Sequence, residues 1–520
     1  MWRGALILLL LLVSSPAQAY LVGPAFTLDE LATKADLVVK ATVVSVKQIS
    51  DPSFVAVTAY PVHEATLTVV STFKGKSGKQ IKFRHYAYKP GNVGIGYSPL
   101  AYELEPGRTY LFFAIAKNGT FRQFQKDHTK KSEQGVIPAG DDKPHRGTKI
   151  VDVAWEELRT LATNSTPEHA TEAIEQLDEM SGGKRSRLGD FDRGVVLGEL
   201  RPLILSKDDK IASAAIAVFG SDGPYFIDRD APYWLASIGK GTVSGFVPLK
   251  PSALPAAAIA TKELFEVANT RPTLKALAIR ALGRTRTVTA AQLATWGKDA
   301  NPEVRRAAIL ISAEAADRSL IIKGVADPIA DLRIAAALAI GFSQDSKLLV
   351  HLGKLFKDPE GKVKAQAAMS LMSFALDEAA PTMKANLATE FGPLFVNELA
   401  RKDPKPYLSR LAEVVEKGPQ PTNWWGGSIP AGVSWKILFG YLKALPAADL
   451  GNAETTKLLD SMEKMKWFGS SEPTSLYAFY VHTKMTARAK AFRDLIKKAV
   501  SWDNNLYFDM ADVNPTNYLQ

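Results

Sequence analysis

The 520-residue chain has no cysteine. That excludes a disulfide framework, thiol catalysis, iron–sulfur clusters, cysteine-ligated zinc and a lipoprotein anchor. Past the first residues there is no run of about 18 apolar residues, so no membrane span is expected in the mature chain. A phosphate loop is missing as well. Lys74 to Lys79 holds two glycines without the Gly-x-x-x-x-Gly-Lys-Ser/Thr spacing, and a β-turn accounts for both. Gly91 to Gly96 lacks the strand–turn–helix setting of a dinucleotide site. His63, His85, His128 and His145 lack close ligand spacing, although His63 and His85 can meet across neighbouring strands. No catalytic residue, metal or cofactor is therefore expected. What is present is 46% apolar and 23% charged residues, the mixture of a chain that buries an aliphatic core.

The first nineteen residues read as an export address. Arg3 gives a positive start, Ala5 to Val13 an apolar stretch, and Ala17-Gln18-Ala19 a small-x-small cleavage pattern after Pro16. The apolar stretch spans about 14 Å as a helix, too little for a bilayer of about 30 Å. A mature chain starting at Tyr20 is expected, secreted or periplasmic, and freedom from cysteine suits a bacterial envelope. The formal charge is +10, and residues 20 to 150 carry 18 Lys and Arg against 11 Asp and Glu. Such a surplus is either a solvated basic face or an attraction to an acidic polymer or membrane surface; nucleic acid is not expected outside the cell.

Period-two alternation of β-branched residues from Asp36 to Val46 predicts a strand, followed by Ala65 to Phe73, Gln80 to Tyr88, Thr109 to Ala116 and Thr120 to Gln125. Thr27 and Glu30 predict a capped helix over Leu28 to Lys34. The run Leu28-Asp29-Glu30-Leu31, Ala35 to Val39, Phe73-Lys74-Gly75 and Leu104 to Phe113 resembles exported bacterial domains related to the netrin and metalloproteinase-inhibitor OB-fold barrels. The resemblance implies a barrel over about residues 26 to 125. In the inhibitors an N-terminal cysteine chelates the protease zinc; here that residue is absent.

The middle of the chain repeats. Ile211, Leu274, Val304, Leu332 and Val363 are anchors followed by small or apolar residues mostly at offsets of three, four, seven and eight, one helical stripe each. Spacing near 30 residues predicts stacked helical hairpins. Asn301-Pro302, Asp327-Pro328, Asp358-Pro359 and Asp403-Pro404 place an N-cap acceptor before a proline. Gly220, Gly283 and Gly341 sit where each helix is expected to stop. With basic Lys275, Arg305, Arg333 and Lys364 directly after the anchors, the pattern is similar to HEAT repeats in their alanine-rich bacterial form. Those basic residues either form a ligand ladder or pair with the cap acids of adjacent repeats.

Two interruptions are the candidate sites. Residues 221–250 gather Asp222, Tyr225, Asp228, Asp230, Tyr233 and Trp234, able to bind a cation or a sugar or to pack under a loop. Trp424 and Trp425 lie in a Pro- and Gly-rich stretch before an apolar helix and either stack on a ligand or cap the end of the array. The fold class expected is a multidomain α+β chain: signal peptide 1–19, OB-like β-barrel 20–150, helical connector 151–199, all-α HEAT-type solenoid 200–416, and aromatic-rich helical cap 417–520. The expected role is noncovalent recognition of a protein or extracellular polymer. The alternatives are an envelope hydrolase using the acids of the 221–250 insertion and a protease-inhibitor-like barrel. N-terminal sequencing of the exported protein should begin at Tyr20; a start at Met1 would remove the export reading.

Overall fold

The computed structural model describes residues 27–54, 60–87, 101–117, 119–124, 135–145, 147, 149–181, 190–220, 258–283, 285, 287–417, 429–464, 472–499, 512 and 515–519. The chain divides into two compact units, Met1–Gly223 with Ala253–Thr287, and Pro224–Ser252 with Val288–Gln520. The division falls inside the stretch 200–416.

The first unit opens with α1 (Leu28–Lys34). The Glu30 N–H donates to Thr27 Oγ1 at 3.2 Å and the Thr27 N–H to the Glu30 carboxylate at 2.8 Å, the reciprocal box that the Thr-x-x-Glu spacing predicts. Six strands follow: β1 (Leu37–Ile49), β2 (Val62–Lys74), β3 (Gln80–Tyr86), β4 (Thr109–Lys117), β5 (Thr120–Arg122) and β6 (Val136–Pro138). They form one sheet in the order β1-β2-β3-β5-β4-β6, and β1 also pairs with β4. Alternation turns Leu37, Val39 and Ala41 of β1 inward with Leu67, Phe83 and Phe112. Register shifts at Val38/Val39, Lys40/Ala41 and Val43/Ser45 bend β1 so that it serves two neighbours. After β2 the chain turns at Gly75, whose φ is +82° and whose absent Cβ would lie 2.4 Å from the Asp36 carbonyl oxygen, so only glycine fits.

The expected barrel is not closed. Strand β5 has three residues, and its parallel seam with β3 consists of Phe83↔Phe121 and Arg84↔Arg122. The domain is a curled sheet, zipped along β1 and β4 and barely joined along β3 and β5. The strand predicted to run to Gln125 leaves the ladder after Arg122, too early to extend that seam.

On the outer side of β1, Lys40 is 1% exposed beneath α2 (Ile150–Asn164). Its Nζ donates to Glu157 Oε1 at 2.6 Å and to Asp141 Oδ1 at 2.9 Å. Glu157 Oε2 accepts the Gly140 N–H at 2.8 Å, so both its oxygens are engaged. Burial pushes the Asp141 carboxyl up, but the hydrogen bonds from Lys40 and the Lys143 N–H hold it below its ordinary value. Helices α3 (Pro167–Met180), α4 (Arg193–Leu200), α5 (Asp209–Gly220), α6 (Thr261–Thr270) and α7 (Lys275–Leu282) complete the described part of this unit. Helix α2 packs on α3, α3 on α5, α5 on α7, and α6 on α7.

In the second unit α8 (Ala290–Trp296) pairs with α9 (Pro302–Ile311), α10 (Ser319–Val325) with α11 (Ala330–Ser343), and α12 (Leu349–Leu355) with α13 (Gly361–Met372). Helices α9, α11 and α13 lie in a row. Their stripes are buried as the period requires: Val304, Ala307, Ala308 and Ile311; then Leu332, Ala335, Ala336, Ala339 and Ile340; then Val363, Ala367 and Leu371. Alanine leaves room for close approach.

Two local expectations are corrected. Gly341 does not stop α11, which runs on to Ser343 and ends at Gln344 with φ +51°. Instead Gly341 meets α13 at Ser370, where an added Cβ would lie 3.1 Å from the serine Cβ. Asn301 is a true N-cap, but α11 and α13 begin at Ala330 and Gly361, so Asp327 and Asp358 stand ahead of the helices they announce. Each accepts the N–H two residues on at 2.9 Å, a turn formed before the helix starts. Asp403 does the same for the Lys405 N–H, before a short 3₁₀ turn.

The remaining helices are α14 (Leu376–Ala385), α15 (Gly392–Lys402), α16 (Leu408–Lys417), α17 (Ile429–Ala444), α18 (Ala453–Glu463), α19 (Glu472–His482) and α20 (Thr486–Ala499). Trp435, Leu438, Phe439 and Leu442 share the buried face of α17, with Trp435 stacked on Phe439 at 4.8 Å.

The buried ion pair gives a test of this packing. Lys40→Met leaves the buried Glu157 without its ammonium partner and should cost about 3–5 kcal/mol by denaturant midpoint. Adding Glu157→Gln, which keeps an acceptor for the Gly140 N–H, should recover a large part; no recovery would mean that the charge is not what the lysine satisfies.

Candidate functional site

The repeated basic residues decide what the helical surface can do. In the second unit Arg333 Nη1 donates to the Asp327 and Pro328 carbonyls at 2.9 and 3.0 Å, closing the turn ahead of its own helix α11. Its Nε and Nη2 donate to the two carboxylate oxygens of Asp358 at 2.6 and 2.9 Å, ahead of α13. One planar guanidinium thus satisfies the start of one repeat and grips the next, which its fixed fork of donors allows. Arg305 repeats the geometry more loosely: Nη1 donates to the Asp299 and Ala300 carbonyls, and Nε stands 4.0 Å from Asp327. Lys364 reaches Glu390 at 2.7 Å instead of an Asp-Pro acid. Pairing with neighbouring acids is therefore what these three residues do, and Arg333 has no fork left for a ligand.

Arg333 and Asp358 are 12% and 6% exposed, so their attraction is little screened. The Asp358 carboxyl is pushed up by burial, but the Arg333 hydrogen bonds, the Glu360 N–H and the Arg333 charge hold it below the ordinary value. The outward side chains on these repeats include the exposed Ile322 of α10 and Val350 of α12, two helices in contact.

In the first unit, part of the basic surplus is neutralised on the outer face of the sheet. Glu64 accepts from Arg84 Nε at 3.0 Å, with Lys82 and Lys47 at 3.3 and 3.5 Å, and Arg84 also bonds Asp51 at 2.9 Å. Burial pushes Glu64 up, while Arg84 and Lys82 hold it below its ordinary value. Beside Arg84, across the β3–β5 seam, Arg122 has a buried Nε and Nη1 with no hydrogen-bond partner.

Of the residues singled out by sequence, Tyr225, Asp228, Asp230, Tyr233, Trp234, Trp424 and Trp425 lie outside the described residues, as do Asp222 and His128. His63 and His85 do stand opposite one another, on β2 and β3. Among the described residues no three His, Cys, Asp or Glu side chains gather at metal-binding range, and no helix is long and apolar enough to cross a membrane. Sequence reasoning missed the Lys40 network. A lysine in the middle of the β-branched run Leu37 to Val46 was the available signal.

The described residues therefore define an α+β chain, a curled N-terminal sheet followed by about twenty helices with a helical repeat. No family model matches the chain, and no curated protein matches it. Among solved structures it is similar to an engineered protein at 15% identity, covering 71% of this chain and 90% of that one with a TM-score of 0.28. It is also similar to a chain in the structure of the Pds5–Scc1 complex, described as bearing on cohesin function, at 12% identity, covering 72% of this chain and 75% of that one with a TM-score of 0.22. At these scores neither likeness bears on fold or partner.

A double-mutant cycle measures the clamp. Arg333→Ala and Asp358→Ala should each cost about 2–3 kcal/mol, with a coupling of about 1–3 kcal/mol between them. Additive effects would mean that the two side chains stabilise their own turns only.

Proposed function

We propose that the chain is an exported binding or scaffold protein, periplasmic or secreted, that holds a protein partner noncovalently on its helical-repeat surface. The single observation that carries this reading is the inter-repeat clamp. Arg305, Arg333 and Lys364 are spent on holding one repeat to the next. A surface so braced offers many nearly equivalent positions to a large partner and loses little entropy on docking. Exposed aliphatic side chains on adjacent helices, Ile322 and Val350, provide apolar contact beside charged neighbours. The N-terminal sheet supplies a second contact in this reading. Its circuit β1-β2-β3-β5-β4, with β1 returning to β4, supports an OB-like assignment, a five-stranded and partly open barrel.

The test is capture from the native cell envelope with the tagged full chain, followed by crosslinking. One partner should be retained by a chain lacking 221–250 and lost by the folded double variant Ile322→Glu/Val350→Glu. Loss on deleting 221–250 alone would move the site to that insertion. No specific capture by the full chain would overturn the reading.

A further inference from the structure

The outward side of α10 and α12 has a chemistry of its own. Val350, 61% exposed, is the most exposed large aliphatic side chain among the described residues, and Ile322 on the neighbouring helix is 42% exposed. Both turn away from the core, because α12 buries Leu349, Leu352 and Leu355 while α10 buries Ile321, Gly324 and Val325. Lys347, in the 3₁₀ turn that runs into α12, lies three residues before Val350, and Lys354 lies four after it, so all three share one helical stripe. Both lysines are exposed, as are Lys323 beside Ile322 and Lys357 at the end of the stripe. The result is a small aliphatic seat fenced by ammonium groups.

Those charges have no counterpart on this face. No carboxylate occurs in α10 or anywhere from Ser346 to Lys357. The acids just ahead of the two helices are engaged by the turns there: Asp317 accepts the Ser319 N–H at 2.8 Å, and Asp345 the Lys347 N–H at 3.1 Å with Arg318 at 4.0 Å. Among the described residues Lys323, Lys347, Lys354 and Lys357 pair with no carboxylate, whereas Lys364, Lys402, Lys417 and Lys464 of the same unit each reach one at 2.5–3.2 Å. The surplus ends at α14, which packs on α12 and carries exposed Glu378 with exposed Lys384. Like charges around an apolar seat repel one another until a partner of opposite sign covers them.

Helical spacing narrows the partner. Lys347 and Lys354 stand roughly 11 Å apart along the axis. A helix lying alongside matches that interval with carboxylates at i and i+7, and its aliphatic residues at i+3 and i+4 fill the space over Ile322 and Val350. We propose that the outward face of α10 and α12 docks an acidic amphipathic helix of the partner protein, with its carboxylates on the four lysines and its aliphatic stripe on Ile322 and Val350. This rests on the scaffold reading above and specifies the chemistry of the partner. A membrane surface fits less well. Helices that lie on bilayers bury a broad apolar face carrying aromatic residues, and the apolar face of α12 is already buried in the core.

The experiment uses the full chain and a fluorescent synthetic helix of about 18 residues, with Glu at i and i+7 and Leu at i+3 and i+4, read by anisotropy. A scrambled peptide of the same composition and phosphatidylglycerol vesicles are run alongside. Saturable binding of the patterned peptide is expected, at least fivefold tighter than the scrambled one and weakened at least tenfold between about 0.05 M and about 0.5 M salt. Lys347→Glu/Lys354→Glu, on exposed positions outside the Arg333 clamp, should lower affinity at least tenfold with an unchanged circular dichroism spectrum. The proposal is overturned by no saturable binding, by equal binding of the two peptides, or by binding that the charge reversal leaves unchanged. Vesicle binding in place of peptide binding overturns it too and assigns the face to a membrane. Envelope capture separates this proposal from the scaffold reading. A partner kept by Lys347→Glu/Lys354→Glu but lost with Ile322→Glu/Val350→Glu leaves the scaffold standing without the acidic helix, and no partner at all removes both.

Discussion

A helix that starts in the middle of a chain exposes carbonyls and amides in the turn before it, and in a stack of helices those groups are covered by the next pair. The second unit meets this constraint with a guanidinium. Arg333 lies one residue after a buried anchor, so its direction is set by the packing of Leu332, and it reaches back to two carbonyls and forward to the carboxylate of the following repeat. The anchor, the basic residue and the aspartate ahead of proline are therefore one device.

How much of this was legible follows from which forces are local. The Thr27–Glu30 box, the stripes from Val304, Leu332 and Val363, and the apolar face of α17 were readable because helical period and capping act within a few residues. The pairing of Arg305 and Arg333 with acids ahead of the next repeat was readable because the repeat itself supplies the long-range contact. Helix starts were less so. Asp327 and Asp358 look like caps in sequence, yet the turn they form takes two more residues before the helix begins. Gly341 was read as a terminator and is a point of close approach to Ser370, which depends on a neighbour 29 residues away.

The sheet was harder to read. Alternation located β1 to β4 but missed the end of β1, the start of β2 and all of β6, and whether the sheet closes depends on the length of β5, where Thr120 to Gln125 reads as a longer strand than the three residues that pair. His63 and His85 were visible as strand residues, and the register of β2 on β3 sets them opposite one another. The candidate residues of 221–250 and Trp424 with Trp425 fall outside the described residues, so the sequence remains their only description.

Lys40 bears on modularity. Its two carboxylates come from Asp141 and from Glu157, the second of them on the first long helix after the strands. An excised fragment ending before that helix would uncover this face of the sheet and lose the carboxylate nearest to the lysine. The curled sheet is accordingly no free-standing cassette to be shuffled between proteins at residue 150.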